Sequence, residues 1–313
     1  MSTGPTKKHA TVTIEVRVPA TIAWRGITDA RELQIWFCQQ ACVDPTQERL
    51  YQFGGKYLPF LKYEERPEQK LLEMNAEKMA ISFQWPLRRR DGEIVNTEVH
   101  YQVSSIEENL SRLYITHIVG MDDLTDDDLR NLWTILLNGY VFHMEGAAGW
   151  VRPEFTQKKG KEFHLELWIA ASRKDVFDTI TSVDGIKGFF APQVKEVKLE
   201  PNGILDLGWD KLPILEVEEN SKFSFGWREV AGEDANLVVC WELKDEGNGT
   251  HVSLTEGTFT EPIVLSSRPD YDGWAAVMND LKRYLETGRH PIFLSILIEP
   301  VEATVPTENH SKE

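Results

Sequence analysis

The chain has 313 residues, of which 41% are hydrophobic and 27% charged. That is a globular composition, with length for two domains at about 150 residues each. The formal net charge is −16 and both halves are acidic, which excludes the net basic field that nucleic-acid binding requires.

No apolar run reaches the roughly 18 residues of a membrane span. Residues 1–10 lack the apolar core of a secretory signal, and the cysteines (Cys38, Cys42, Cys240) are odd in number. A reducing, cytoplasmic setting is the expectation.

Residues 12–18 alternate apolar and polar side chains, as in a strand buried on one face. A short helix follows. Asp29-Ala-Arg-Glu32 reads as the cap of a second short helix leading to Trp36-Phe37. Arg88-Arg89-Arg90 runs into Asp91-Gly92, which predicts a solvated hairpin tip. Thr125-Asp-Asp-Asp128 then opens a long helix, because negative charge suits the positive end of the dipole. Its residues Leu129, Leu132, Trp133, Leu136, Leu137, Tyr140 and Met144 keep an i, i+3, i+4, i+7 spacing. Such a stripe predicts one packed face and one wet face.

The second half repeats this order. Glu15 matches Glu166, Trp36-Phe37 matches Phe189-Phe190, and Phe83-Gln-Trp85 matches Phe225-Gly-Trp227. Thr116 matches Thr255, and the helix segment Trp133–Asn138 matches Trp274–Asn279. The expectation is a tandem duplication with domains at 8–146 and 160–290, joined by a linker at 147–159. Ser172 with Asp175 caps the first short helix of the second copy. Strands are predicted at 194–199, 204–208, 214–218, 222–228, 236–243 and 251–257. Turns are marked by Pro201-Asn-Gly203, Glu219-Asn220 and Gly247-Asn-Gly249. Trp274, Val277, Met278, Leu281 and Leu285 form the stripe of the closing helix. Residues 291–313 read as a strand-like run at 292–298, able to pair with its own sheet or a second copy, then a disordered end.

Catalytic groupings do not stand out. Cys38 and Cys42 lack the second pair of a zinc site, and no HExxH pattern or phosphate-cradling glycine loop occurs. His117 and Glu256 fall at matching strand positions and are candidates for ionisable groups on the two cavity walls. The remaining candidate lining is aromatic or apolar: Trp133, Leu136, Tyr140 and Met144 in the first copy, and Trp274, Val277, Met278 and Leu281 in the second. No metal or cofactor is called for.

The segments Ile14–Trp24, Trp36-Phe37, Val176–Phe190, Lys222–Trp227, Gly249–Glu256 and Gly273-Trp274 resemble the SRPBCC superfamily, also called START-like or helix-grip. Within it they are most similar to the branch named after the C-terminal domain of the activator of the heat-shock protein 90 ATPase. The resemblance implies an α+β fold: two tandem helix-grip domains, each a curved antiparallel sheet wrapped round a long C-terminal helix. It implies a pocket for an apolar, lipid-like or aromatic small molecule and a non-catalytic binding role. A chaperone-interacting protein and a polyketide-cyclase-like enzyme are the alternatives.

Overall fold

The computed structural model describes residues 8–46, 49–58, 69–88, 94–119, 126–154, 162–229, 236–257 and 269–292. The first half runs β1 (Lys8–Val16), α1 (Ala20–Thr28), α2 (Ala30–Trp36), β2 (Gln40–Asp44), β3 (Leu50–Gly54), β4 (Leu71–Asn75), β5 (Ala80–Arg88), β6 (Ile94–Glu107), β7 (Leu110–Val119) and α3 (Asp126–Met144). The second runs β8 (Glu162–Ile169), α4 (Arg173–Thr181), α5 (Val183–Phe189), β9 (Glu196–Val197), β10 (Ile204–Asp206), β11 (Lys211–Glu218), β12 (Lys222–Glu229), β13 (Asn236–Glu246), β14 (Gly249–Gly257) and α6 (Pro269–Thr287).

Local sequence explains these elements. In β1, Val12, Ile14 and Val16 are buried while Glu15 is exposed, so the period of two survives into the fold. Asp29 accepts from the backbone N–H groups of Arg31 and Glu32 at 2.7 and 3.2 Å, capping α2. Ser172 accepts from Asp175 N–H at 3.1 Å and caps α4. Ser182 does the same for α5 through Gly185 N–H at 3.1 Å. Asn202, Asn220 and Gly247 adopt positive φ at the three expected turns.

The described strands pair antiparallel in two large sheets. The first has the order β1-β7-β6-β5-β4 and the second β8-β14-β13-β12-β11-β10-β9. A separate β2–β3 hairpin reaches the first sheet through a bridge between Leu50 and Lys70. Followed across that bridge, the first half has the strand order of the second. Each sheet carries one long helix, and the class is the expected α+β helix-grip arrangement.

Two expectations change. Residues 194–199 hold only the two-residue β9, while the strand predicted from 214 begins at Lys211. The wet helix face is also absent over the middle of α6, where every residue from Trp274 to Lys282 is buried. Nine consecutive buried positions cannot lie on one side of a helix. On one side α6 meets its sheet; on the other it meets α3. Across that seam Asn138 Nδ2 donates to Asp280 Oδ1 at 3.4 Å, and the fully buried Ile292 donates its N–H to the same oxygen at 2.9 Å. Ile292 packs into the first hydrophobic core, not the second. The expected strand-like run at 293–298, the end expected to be disordered, residues 89–92 of the expected hairpin tip, Thr125 and residues 155–159 of the expected linker lie outside the described residues.

Candidate functional site

The space between the first sheet and α3 is occupied by side chains in mutual contact. Trp85, His117 and Trp133 are all fully buried. The Trp85 and His117 rings stack at 5.4 Å with 7° between planes, and Trp133 stands edge-on to Trp85 at 5.6 Å and to Tyr101 at 5.7 Å. Tyr140 packs edge-on to Trp36 at 5.1 Å, and its hydroxyl donates to Ala23 O at 3.0 Å. Leu136 and Met144 are buried in the same core.

His117 occupies the fourth inward position of β7, between Ile115 and Val119. Its hydrogen bonds define one tautomer. Thr97 Oγ1 donates its single proton to Trp85 O at 2.6 Å. The 2.7 Å contact between Thr97 Oγ1 and His117 Nε2 therefore uses the imidazole proton. Nδ1 is left as the acceptor for Trp133 Nε1–H at 3.3 Å. Burial pushes the His117 pKa down to about 3, because charge is costly in an apolar interior. The ring is neutral at pH 7 with both nitrogens engaged. It braces β7 against α3 and has no free nitrogen for acid–base work.

The second unit differs at the equivalent place. Trp274 is buried and meets Trp227 at 5.1 Å, Phe190 at 5.5 Å, Trp241 at 5.9 Å and Phe225 at 6.3 Å. Phe190 in turn meets Trp209 at 5.9 Å. Trp209 is 44% exposed, and Phe190 and Trp227 are partly exposed, whereas their first-half counterparts Phe37 and Trp85 are fully buried. A file of rings thus runs from solvent to the base of α6.

Gly208 makes the turn that presents Trp209. It sits at φ +90°, and a Cβ there would lie 2.3 Å from Gln193 O, so only glycine fits. The indole N–H groups of Trp85 and Trp227 are buried without an acceptor among the described residues. Val277, Met278 and Leu281 belong to the second core, and Glu256 is buried on β14 opposite Phe163 and Val239.

The candidates therefore fall into two separate clusters, one per sheet. Trp209 was missed because no segment of the first half matches it; its signal was an isolated tryptophan next to a glycine turn. No three His, Cys, Asp or Glu side chains converge as a metal site among the described residues, and no described helix is long and apolar enough to cross a membrane.

Residues 170–286 match the family model described as Activator of Hsp90 ATPase homolog 1-like protein. Over that segment the chain is similar to Aha1-like proteins. The match spans α4 to α6, including the ring file. No curated protein matches the chain. Among solved structures, the Aha1 dimer from Colwellia psychrerythraea is 18% identical, covers 41% of this chain and 97% of its own, and has a TM-score of 0.34. Protein SSP2350 from Staphylococcus saprophyticus is 22% identical over 41% of this chain and 94% of its own, with a TM-score of 0.36. DynU16, from the dynemicin biosynthetic locus, is 11% identical over 90% of this chain and 99% of its own, with a TM-score of 0.36.

Proposed function

We propose that the chain is a non-catalytic binding protein built of two repeats, 8–146 and 160–290, in which the second, Aha1-like repeat takes a flat apolar or aromatic small molecule and the first serves as scaffold. The supporting observation is the ring file Trp209–Phe190–Trp227–Trp274, open at one end. Aromatic faces stack on planar ligands with geometric preference. The Trp227 indole N–H adds a requirement for an acceptor, since a buried donor left unsatisfied costs about 1–3 kcal/mol. A polycyclic ketone or phenol supplies both features. Met278, at the base, can repack around different ring shapes. In the first repeat the same positions are enclosed by neighbouring rings, which is why the scaffold role falls there.

Titration with 9-fluorenone, a neutral planar ketone, tests this through tryptophan fluorescence. Saturable quenching is expected, with affinity at least tenfold weaker in Trp209→Ala and in Phe190→Ala. Quenching that never saturates, or that both variants leave unchanged, would rule the reading out.

A further inference from the structure

We propose a second, independent ligand site: an anion-binding groove at the seam between the two halves, for a small molecule bearing phosphate or carboxylate groups. The groove has a volume of about 930 Å³, within the range of small-molecule sites. It lies against Glu15 of β1, Arg17 just after it, Arg112 of β7, Glu145 just after α3, Arg283 of α6 and Arg289 beyond it. This is the outward face of the first sheet's edge, away from the ring file.

The charges there do not balance locally. Glu145 is the one carboxylate that contacts the cluster of Arg17, Arg283 and Arg289 among the described residues. Its Oε1 accepts the Arg17 backbone N–H at 3.0 Å. Its Oε2 takes both Arg283 Nη1, at 3.4 Å, and Arg289 Nη1. Arg283 and Arg289 are only 12% and 24% exposed, so solvent compensates them poorly. Burial above all holds Arg283 below the ordinary arginine range; Glu145 and Asp280 pull it upward, while Arg289 and Arg17 push the same way as burial. Two largely buried guanidiniums share one carboxylate oxygen.

A guanidinium has five N–H donors in a rigid fork that matches a phosphate or carboxylate edge. Arg283 and Arg289 each spend a single Nη1 contact on Glu145. A further oxyanion is the counter-charge this corner lacks. Across the groove, Arg112 is already matched by Glu15 at 2.6 Å and contributes a neutral wall. The rim at the β6–β7 turn carries exposed Glu107 and Glu108. They repel a ligand that is anionic throughout and accept hydrogen bonds from hydroxyl or amine groups. The fitting ligand has an anionic head for the arginines and donor groups towards the rim.

The test is calorimetric titration of the full chain at low ionic strength with glycerol 3-phosphate and, separately, glycerate, each an anionic head with hydroxyl donors, which distinguishes phosphate from carboxylate chemistry. Saturable binding of at least one probe is expected. Arg289→Gln and Arg17→Gln should each weaken it about tenfold or more, while Arg31→Gln on α2 should not. Arg17 is exposed, so its variant stays informative should Arg289→Gln fold poorly. Fluorenone quenching should persist in all three variants. Binding of neither probe, or affinity unchanged in both groove variants, would overturn the proposal.

Discussion

Asn279 of α6 holds the backbone of Val151 from both sides: its Oδ1 accepts Val151 N–H at 2.7 Å and its Nδ2 donates to Val151 O at 2.9 Å. Both residues are buried. The helix of the second half thereby grips the segment that leaves the first. Asn279→Ala would leave a buried N–H and C=O unsatisfied, each worth about 1–3 kcal/mol. A loss of about 2–4 kcal/mol in urea unfolding is expected; a loss below about 0.5 kcal/mol would mean that water replaces the amide at no cost.

Arg152 fastens the next residue of that segment to the first half. Its Nη1 and Nη2 donate to Gln34 O at 2.9 Å and Cys38 O at 2.8 Å, and the guanidinium lies 3.8 Å from the Tyr57 ring centroid. Glu154 pairs with Lys56 close by. Hydrogen bonds to a charged group contribute about 1.5–3 kcal/mol. Arg152→Ala should therefore cost about 2 kcal/mol. Arg152→Lys should recover little, because an ammonium cannot fork to two carbonyls while stacking flat. Full recovery in the lysine variant, measured by thermal unfolding, would contradict the forked geometry.

The buried imidazole makes stability depend on pH. His117 has a folded pKa of about 3 against 6.5 for the free side chain. Between those values the unfolded chain binds the extra proton, so stability rises with pH. The contribution is whole above about pH 6.5 and drains away as pH falls towards 3. The slope is about 1.4 kcal/mol per pH unit at its steepest. Measured at pH 7 and pH 5, wild type should lose about 2 kcal/mol more than His117→Gln does. Equal losses in the two proteins would place the charge cost elsewhere.

Two glycines should respond unequally to alanine. A Cβ on Gly185 would lie 2.2 Å from the backbone oxygen of Thr179, which cannot move without unwinding the end of α4. A Cβ on Gly26 would lie 2.5 Å from Met144 Sδ, the end of a flexible side chain. Overpacking costs about 1–3 kcal/mol or more. Gly185→Ala is expected at or above the top of that range and Gly26→Ala near the bottom, by chemical denaturation. The reverse order would show that the α4–α5 elbow is the softer of the two.

Much of this was legible in the residues. The caps at Asp29 and Ser172, the turns at Asn202, Asn220 and Gly247 and the positions of β10, β12, β13 and β14 along the chain follow from short-range chemistry. The inward-facing set, including Trp133, Tyr140, Trp274 and Met278, follows from periodicity. Periodicity does not show which buried side chain meets a ligand and which meets another side chain. Trp85 on β5 and Trp227 on β12 fall in matching sequence segments, yet one is enclosed and the other reachable. The seam was equally hidden. Asn138, Asn279 and Asp280 read as the polar face of two amphipathic helices, and only the juxtaposition of those helices turns that face into an interior.

The burial of Ile292 in the first core bears on the order in which the molecule is made. A ribosome delivers the first sheet and its helix long before residue 292 leaves the exit tunnel. Until then the early-made half lacks one of its own core side chains, and the α3 surface that will receive α6 stays uncovered. The first half is therefore completed only after the second has been made.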